Sequence, residues 1–292
     1  MNTNEYPKVP AIVEYATKEL KIDPHSLLAA LEESPDLCDI AVQKWGVCFN
    51  HLSQYGFSKN SVLKMITNYP GLLHFEENEL EDSVHCWMKC QFGEAGLVPL
   101  LIDNPYFLNI GEKTLDFRFC SLRHFLEGRR KRVLRLLTNS PQVMFKNWDQ
   151  VQNVIDYLKE PMRIPISQVA RSGVFRYDLF HLRCRFLFLY RLGVYTIRSF
   201  KADPLEPPKH PPLTDIVDSH EEKFVYRVAK VSMIEYQFFK EILYKGDMED
   251  DRDPLAIENT HGLINPYLVT DLRYPEVRKQ KSRPPNMPPV VE

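Results

Sequence analysis

The first 110 residues contain no arginine. They carry 7 lysines against 15 acidic residues, a net charge of −8, so this part of the chain is a poor partner for a polyanion. None of the 292 residues falls in an apolar run of the roughly 18 residues that a membrane-spanning helix needs. The six cysteines are scattered. Cys86 and Cys90 lie close together beside His85, but no second pair stands at zinc-finger spacing, so no metal site is expected. Reduced, buried thiols fit a reducing compartment or an organelle matrix. The chain has no phosphate-binding loop, no Rossmann glycine motif, no HExxH and no GxSxG. His74 reads as a polar bend residue. A non-enzyme without cofactors is therefore expected. The opening MNTNEYPKVP is neither a secretory signal nor an Arg-rich presequence. That fits a cytosolic protein, or numbering that starts after a removed segment.

What the beginning lacks, the middle has in excess. Residues 111–201 hold 18 Lys/Arg and 7 Asp/Glu, a net of +11, and residues 202–292 return to −5. A basic middle between acidic ends points to a polyanion facing the middle third.

Four segments align on a proline: 27-LLAALEESPDL-37, 62-VLKMITNYPGL-72, 97-LVPLLIDNPYF-107 and 133-VLRLLTNSPQV-143. The prolines Pro35, Pro70, Pro105 and Pro141 are spaced 35, 35 and 36 apart. Positions eight, seven, five and four before each proline are apolar in all four segments, which is one helical stripe. Proline biases the residue before it away from helix and suits the first turn of a new one. Each segment is therefore a helix that stops, bends and restarts. Two apolar residues, such as Leu72 and Leu73, anchor the restarted turn. The stretch 172-SGVFR-176 is a fifth, degraded copy with Ser172 in the proline position, 31 residues after Pro141. Longer helices are expected near 40–55, 79–91, 115–127, 148–159 and 177–191. Gly56, Gly93 and Gly128 fit the C-caps that join them to the short helices. A period of about 35 lies in the range of helical solenoids. Tetratricopeptide units share that period but lack a proline-started third helix. The expected fold is all-α: a superhelix of three-helix repeats with proline-started short helices.

Four regions follow: an N-terminal extension (1–19), the repeats (20–201), a C-terminal helical cap (202–245), and an acidic then proline-rich tail (246–292) expected to be disordered. In the cap, helices near 219–229 and 232–244 are expected, the second opened by a capping box of Ser232 and Glu235. Its aromatic and aliphatic residues, Tyr236, Phe238, Phe239, Ile242 and Leu243, either close the last repeat or dock a partner. Tyr226 is placed with them as a partner-binding residue.

The densest basic cluster is 129-RRKRVLR-135. Arg129, Arg130, Lys131, Arg132 and Arg135 are read as nucleic-acid contacts. Lys146, Arg163, Arg171, Arg176, Arg183 and Arg185 are expected to extend them, recurring near the bends as a track for a phosphate backbone. Arginine predominates, which favours bidentate phosphate contacts. No zinc finger, reading helix or RNA-binding sheet is visible, so recognition by shape and backbone is the natural mode.

The units 55-YGFSKNSVLKMITNYPGLL-73 and 128-GRRKRVLRLLTNSPQVM-144 resemble the mitochondrial transcription termination factor family, mTERF, over roughly residues 20–245. The resemblance implies a superhelical array that binds DNA or RNA along a basic concave face in mitochondria. Stretches 169–194 and 212–243 further resemble a vertebrate member that partners a Sun-domain methyltransferase modifying cytosine-5 of mitochondrial ribosomal RNA. That likeness implies an adaptor on large-subunit ribosomal RNA in the mitochondrial matrix, with the C-terminal helices docking the enzyme. It also marks Lys146 and Arg176 as contacts that follow the bends. The alternatives are a double-stranded-DNA-binding regulator or terminator of mitochondrial transcription, and a protein-only scaffold.

Overall fold

The computed structural model describes residues 6–199 and 208–248. Those residues form helices, turns and loops, with no β-strand among them. In chain order the helices are α1 (Val9–Lys18), α2 (Pro24–Glu33), α3 (Val42–Gln54), α4 (Lys59–Asn68), α5 (Glu77–Lys89), α6 (Glu94–Asp103) and α7 (Glu112–Phe125). Then come α8 (Arg130–Asn139), α9 (Trp148–Lys159), α10 (Ile166–Val169), α11 (Leu179–Arg191), α12 (Leu213–Val217), α13 (Glu221–Lys223) and α14 (Met233–Met248). The 3-10 turns Pro35–Asp39, Pro70–His74, Pro105–Asn109, Pro141–Met144 and Val174–Arg176 close the successive units. Each unit is thus a helix, a second helix, and a tight 3-10 turn. The first helices form one layer, with α3 on α5, α5 on α7 and α9 on α11. The second helices form another, with α2 on α4, α4 on α6 and α6 on α8.

The sequence pattern explains the bends. Residues before the four prolines, Ser34, Tyr69, Asn104 and Ser140, have φ of −132°, −146°, −136° and −140°. Each still donates its N–H to the carbonyl four residues back, so the helix makes its last bond and then swings out. The two apolar residues that follow each bend are fully buried: Leu37 and Cys38, Leu72 and Leu73, Phe107 and Leu108, Val143 and Met144. Val174 and Phe175 do the same in the fifth unit. In the apolar stripe, positions eight, five and four before proline are buried in every unit. Position seven is the margin of the stripe: Leu28 is exposed and Val98 and Leu134 are half-buried. Leu134 fills the space beside Gly96, where a Cβ would stand 2.6 Å from its Cδ2, so α6 and α8 pack closely there.

Three findings differ from the sequence reading. Residues 1–19 contain α1, which packs on α2, α3 and the first 3-10 turn and buries Ile12 and Ala16. This helix supplies the first layer of the first unit. The turn between paired helices is set by the residue fourteen before the proline, and only one of the four is glycine: Lys21, Gly56, Gln91 and Glu127 have φ of 52°, 86°, 56° and 60°. Gly93 instead stands at the N-cap of α6, with φ of 74°. A left-handed conformation strains a residue with a Cβ. Gln91→Gly is therefore expected to stabilise the protein by about 1 kcal/mol in urea unfolding, and Gly56→Ala to destabilise it by about as much. The third difference lies in the cap, where the helix expected over 219–229 runs over 221–229 but is α-helical only in its first turn, α13, and π-helical over Phe224–Ala229, and where α12 precedes it as a helix the sequence pattern did not mark.

The cap completes the degraded fifth unit. Where earlier units have proline, Ser172 is buried, and the following N–H, on Gly173, donates to both carboxylate oxygens of Asp218 at 2.9 and 3.0 Å. A Cβ on residue 173 would clash with that carboxylate. Ser232 and Glu235 form the expected reciprocal cap of α14, with bonds of 2.8 and 3.3 Å. The acidic run 249–253 and the remaining tail lie outside the described residues, as do 200–207 of the proline-rich segment.

Candidate nucleic-acid interface

Helix α8 begins against the usual electrostatic rule. Its first turn carries Arg130, Lys131 and Arg132 and no acid, although the N-terminal end of a helix is its positive end. Each such cation costs about 0.3–1 kcal/mol of helix stability, so folding alone does not account for the cluster. Burial of Val133, Leu136 and Leu137 turns the opposite side of α8 to solvent. Lys131 and Arg135, four residues apart, are exposed on that side, and Arg129 is exposed at the N-cap. Arg130 and Arg132 are half-buried, and Arg132 pairs with Glu127.

The far end of α8 adds two more. Asn139 donates its side-chain amide to Ala170 O at 3.2 Å, which brings the turn carrying Arg171 to the end of the helix. Arg176 donates Nε to Asn139 O at 2.5 Å, a favourable place for a cation at a helix's negative end. A ten-residue helix is about 15 Å long, so Arg129, Lys131, Arg135, Arg171 and Arg176 mark one solvent edge of roughly that length. Arg129, Lys131, Arg135 and Arg171 make no ion pair among the described residues. Sequence reasoning passed over Arg123, in the last turn of α7, which donates to Gly128 O at 3.3 Å beside the cluster. Its signal was its place one turn before the basic run.

The other expected contacts lie elsewhere. Lys146 is half-buried and donates Nζ to Tyr177 O at 2.6 Å, and burial lowers its pKa. Arg163 sits in the turn after α9 with φ of 52° and donates to Arg198 O at 3.2 Å. Arg183 is half-buried on α11. Arg185 is 3% exposed. It donates to Ile216 O and Ser219 O at 2.7 Å each and lies 4.6 Å over the Phe224 ring. It is a core group that fastens the cap to α11. A track recurring in every unit is not what the short-helix layer presents: α2 carries Glu32 and Glu33, and α6 carries Glu94 and Asp103. Of the two lysines on α4, Lys64 pairs with Asp103 at 2.8 Å. The basic surface is an edge centred on α8.

The residues expected to dock a partner divide by face. Tyr236, Phe239 and Leu243 are buried, with Phe188 of α11 at 5.0 Å from Tyr236 and 5.1 Å from Phe239. Burial pushes the Tyr236 hydroxyl's pKa up. Arg191 covers Phe239 at 4.4 Å. Ile242 is half-buried. Phe238 and Tyr226 are exposed, together with Ile234 and Tyr244, which sequence reasoning did not single out.

Stacked helix pairs closed by proline-started turns, with a basic edge on α8, define a helical-repeat protein. The mTERF family model matches residues 12–225, and the chain belongs to that family, which is non-catalytic. It is 22% identical over 188 residues to mouse mitochondrial transcription termination factor 4, covering 64% of this chain and 54% of that protein. The chain thus spans about half the length of the curated relative it matches. No helix among the described residues is long and apolar enough to cross a membrane.

Proposed function

We propose that the chain is a non-enzymatic nucleic-acid-binding regulator in mitochondria that holds a double-stranded segment by its phosphates along the α8 edge. The observation that carries this reading is the set of exposed cations on α8 and the adjoining bend, Arg129, Lys131, Arg135 and Arg171, which make no ion pair among the described residues, with Lys131 standing at the helix's positive end. Exposed Lys131 and Arg135 present charge without any reading motif, as backbone recognition requires. The similarity to mouse mitochondrial transcription termination factor 4 favours duplex mitochondrial DNA and transcription as the context. Crosslinking in mitochondria, followed by sequencing of bound DNA and RNA, tests it. Recovery of mitochondrial DNA is expected, and recovery of ribosomal RNA without DNA would overturn the DNA reading.

The second reading, an adaptor bringing a Sun-domain methyltransferase to large-subunit ribosomal RNA, is favoured by exposed apolar side chains on the cap. Ile234, Phe238, Tyr226 and Tyr244 are 81%, 65%, 57% and 53% exposed, and such apolar groups gathered on one small unit suit a protein partner. Under that reading the same experiment returns ribosomal RNA, and the methyltransferase co-purifies with the chain.

A further inference from the structure

A second set of exposed aromatics lies away from both surfaces, where α7, α9 and the turns Pro105–Asn109 and Pro141–Met144 meet. Phe117 and Phe145 are 53% and 50% exposed. Phe117 stands edge-on to Trp148 at 5.3 Å, and Phe145 lies 5.4 Å from Tyr106. Arg118 joins the two pairs, sitting 5.7 Å over Trp148 and donating to Val143 O and Lys146 O at 2.8 Å each. The result is a shelf of aromatic rings along one edge of the array.

The charges around the shelf decide what suits it. Its nearest cations, Arg118 and Lys146, are half-buried and turned onto backbone carbonyls. The exposed charges beside it are Lys113, Asp116 and Asp149. That balance does not favour phosphates. On the other side of the α7 N-terminus lies an open groove of about 1140 Å³ between α5 and α7. Glu79, Asp82, Glu112 and Lys89 line it, and Lys89 is already paired with Glu112. An acidic groove and an aromatic shelf therefore stand side by side.

The chain carries a matching segment, 278-RKQKSRPPNMPP-289, with a basic half followed by a proline half. Pro284, Pro285, Pro288 and Pro289 stand in its second half. Aromatic surfaces with neighbouring carboxylates are a recurring receptor for such segments. We propose that residues 278–289 dock on this edge, the prolines on Phe117, Phe145 and Trp148 and the basic half along the groove at Asp82. The tether is long enough. Twenty-nine residues lie between Met248 and Arg278 and reach up to about 100 Å, whereas α14 packs on α11 and α11 on α9, at about 10 Å per helix.

Trp148 makes the test simple, because Trp45 and Trp87 are 0% exposed and only Trp148 offers a surface to a quencher among the described residues. In the full chain, changing Pro284, Pro285, Pro288 and Pro289 to Ala is expected to raise acrylamide quenching of tryptophan fluorescence about twofold or more, because tethering supplies a millimolar effective concentration of the segment. Carbodiimide is also expected to join Lys279 or Lys281 to Asp82 or Asp116 in the unaltered chain and not in the variant. Equal quenching of the two chains, with no such crosslink, would overturn the proposal. So would protection of Trp148 by an oligothymidine that the proline changes leave untouched, since the shelf would then hold unpaired bases. Protection that disappears on dilution would assign the segment to a second copy and overturn the intramolecular form.

Discussion

Changing Arg129, Lys131, Arg135 and Arg171 to alanine is expected to lower affinity for duplex nucleic acid on the order of 100-fold at physiological salt. A phosphate contact contributes about 0.9 to the slope of log affinity against log salt, so four lost contacts should flatten that slope by about 3.6. The side chains are exposed and make no ion pair among the described residues, so their removal takes no contact from the fold. Stability should hold or rise slightly, because two of the four cations, Arg129 and Lys131, leave the positive end of α8. Loss of binding together with retained stability is the signature of a cluster kept for a ligand. Lys18, on α1, is paired with Glu14 at 2.7 Å, and Lys18→Ala should leave the slope unchanged. Binding isotherms at several salt concentrations, beside urea unfolding of the same proteins, supply both readouts.

Arg185→Leu is expected to behave in the opposite way, with a loss of about 3–5 kcal/mol in unfolding free energy. The change strands the carbonyls of Ile216 and Ser219 in the interior and removes the cation over Phe224. Arg185→Lys should rescue little, since an ammonium does not reproduce the planar guanidinium stacked on a ring. Its neighbour His181 bonds Val217 O at 3.1 Å. Burial lowers the His181 pKa below its ordinary 6.5, and the charge on Arg185 lowers it further. A base whose pKa is depressed by folding contributes stability that is present above the unfolded value and lost as pH falls through the folded one. The native protein should therefore weaken as pH drops below about 6.5, and the Arg185→Leu variant should show less of that acid sensitivity. Denaturant titrations across pH 5–8 read both effects.

The contrast between these arginines marks the limit of what the sequence discloses. The repeat was legible because its signals are local: a proline fixes the backbone before it, and the buried pairs such as Leu72–Leu73 and Val143–Met144 stand at constant offsets from that proline. The long helices were legible for the same reason, since Val151, Val154, Ile155 and Leu158 fall on one side of α9 and are buried. Arg135 and Arg185 look alike in the chain. The second is internal only because the carbonyls at 216 and 219 arrive from a segment more than thirty residues later. The left-handed residue falls at Gln91 rather than at Gly93, and at Glu127 beside Gly128, whose φ of 73° is also positive and whose N–H closes the end of α7 on Arg123 O, because the packing on either side holds residues other than glycine in that conformation. Of the aromatic helix α14, periodicity alone left open which face meets α11. Phe188 settles it by taking Tyr236 and Phe239 and leaving Phe238 in solvent.

The decisive measurement is a photocrosslink from either layer of the array to bound duplex. A photoreactive side chain in place of Arg135 is expected to join the nucleic acid in high yield. The same group in place of Asn153, exposed on α9 in the first-helix layer, is expected to give none. Crosslinks from position 153 with none from position 135 would contradict the assignment of the α8 edge as the surface that meets the phosphates.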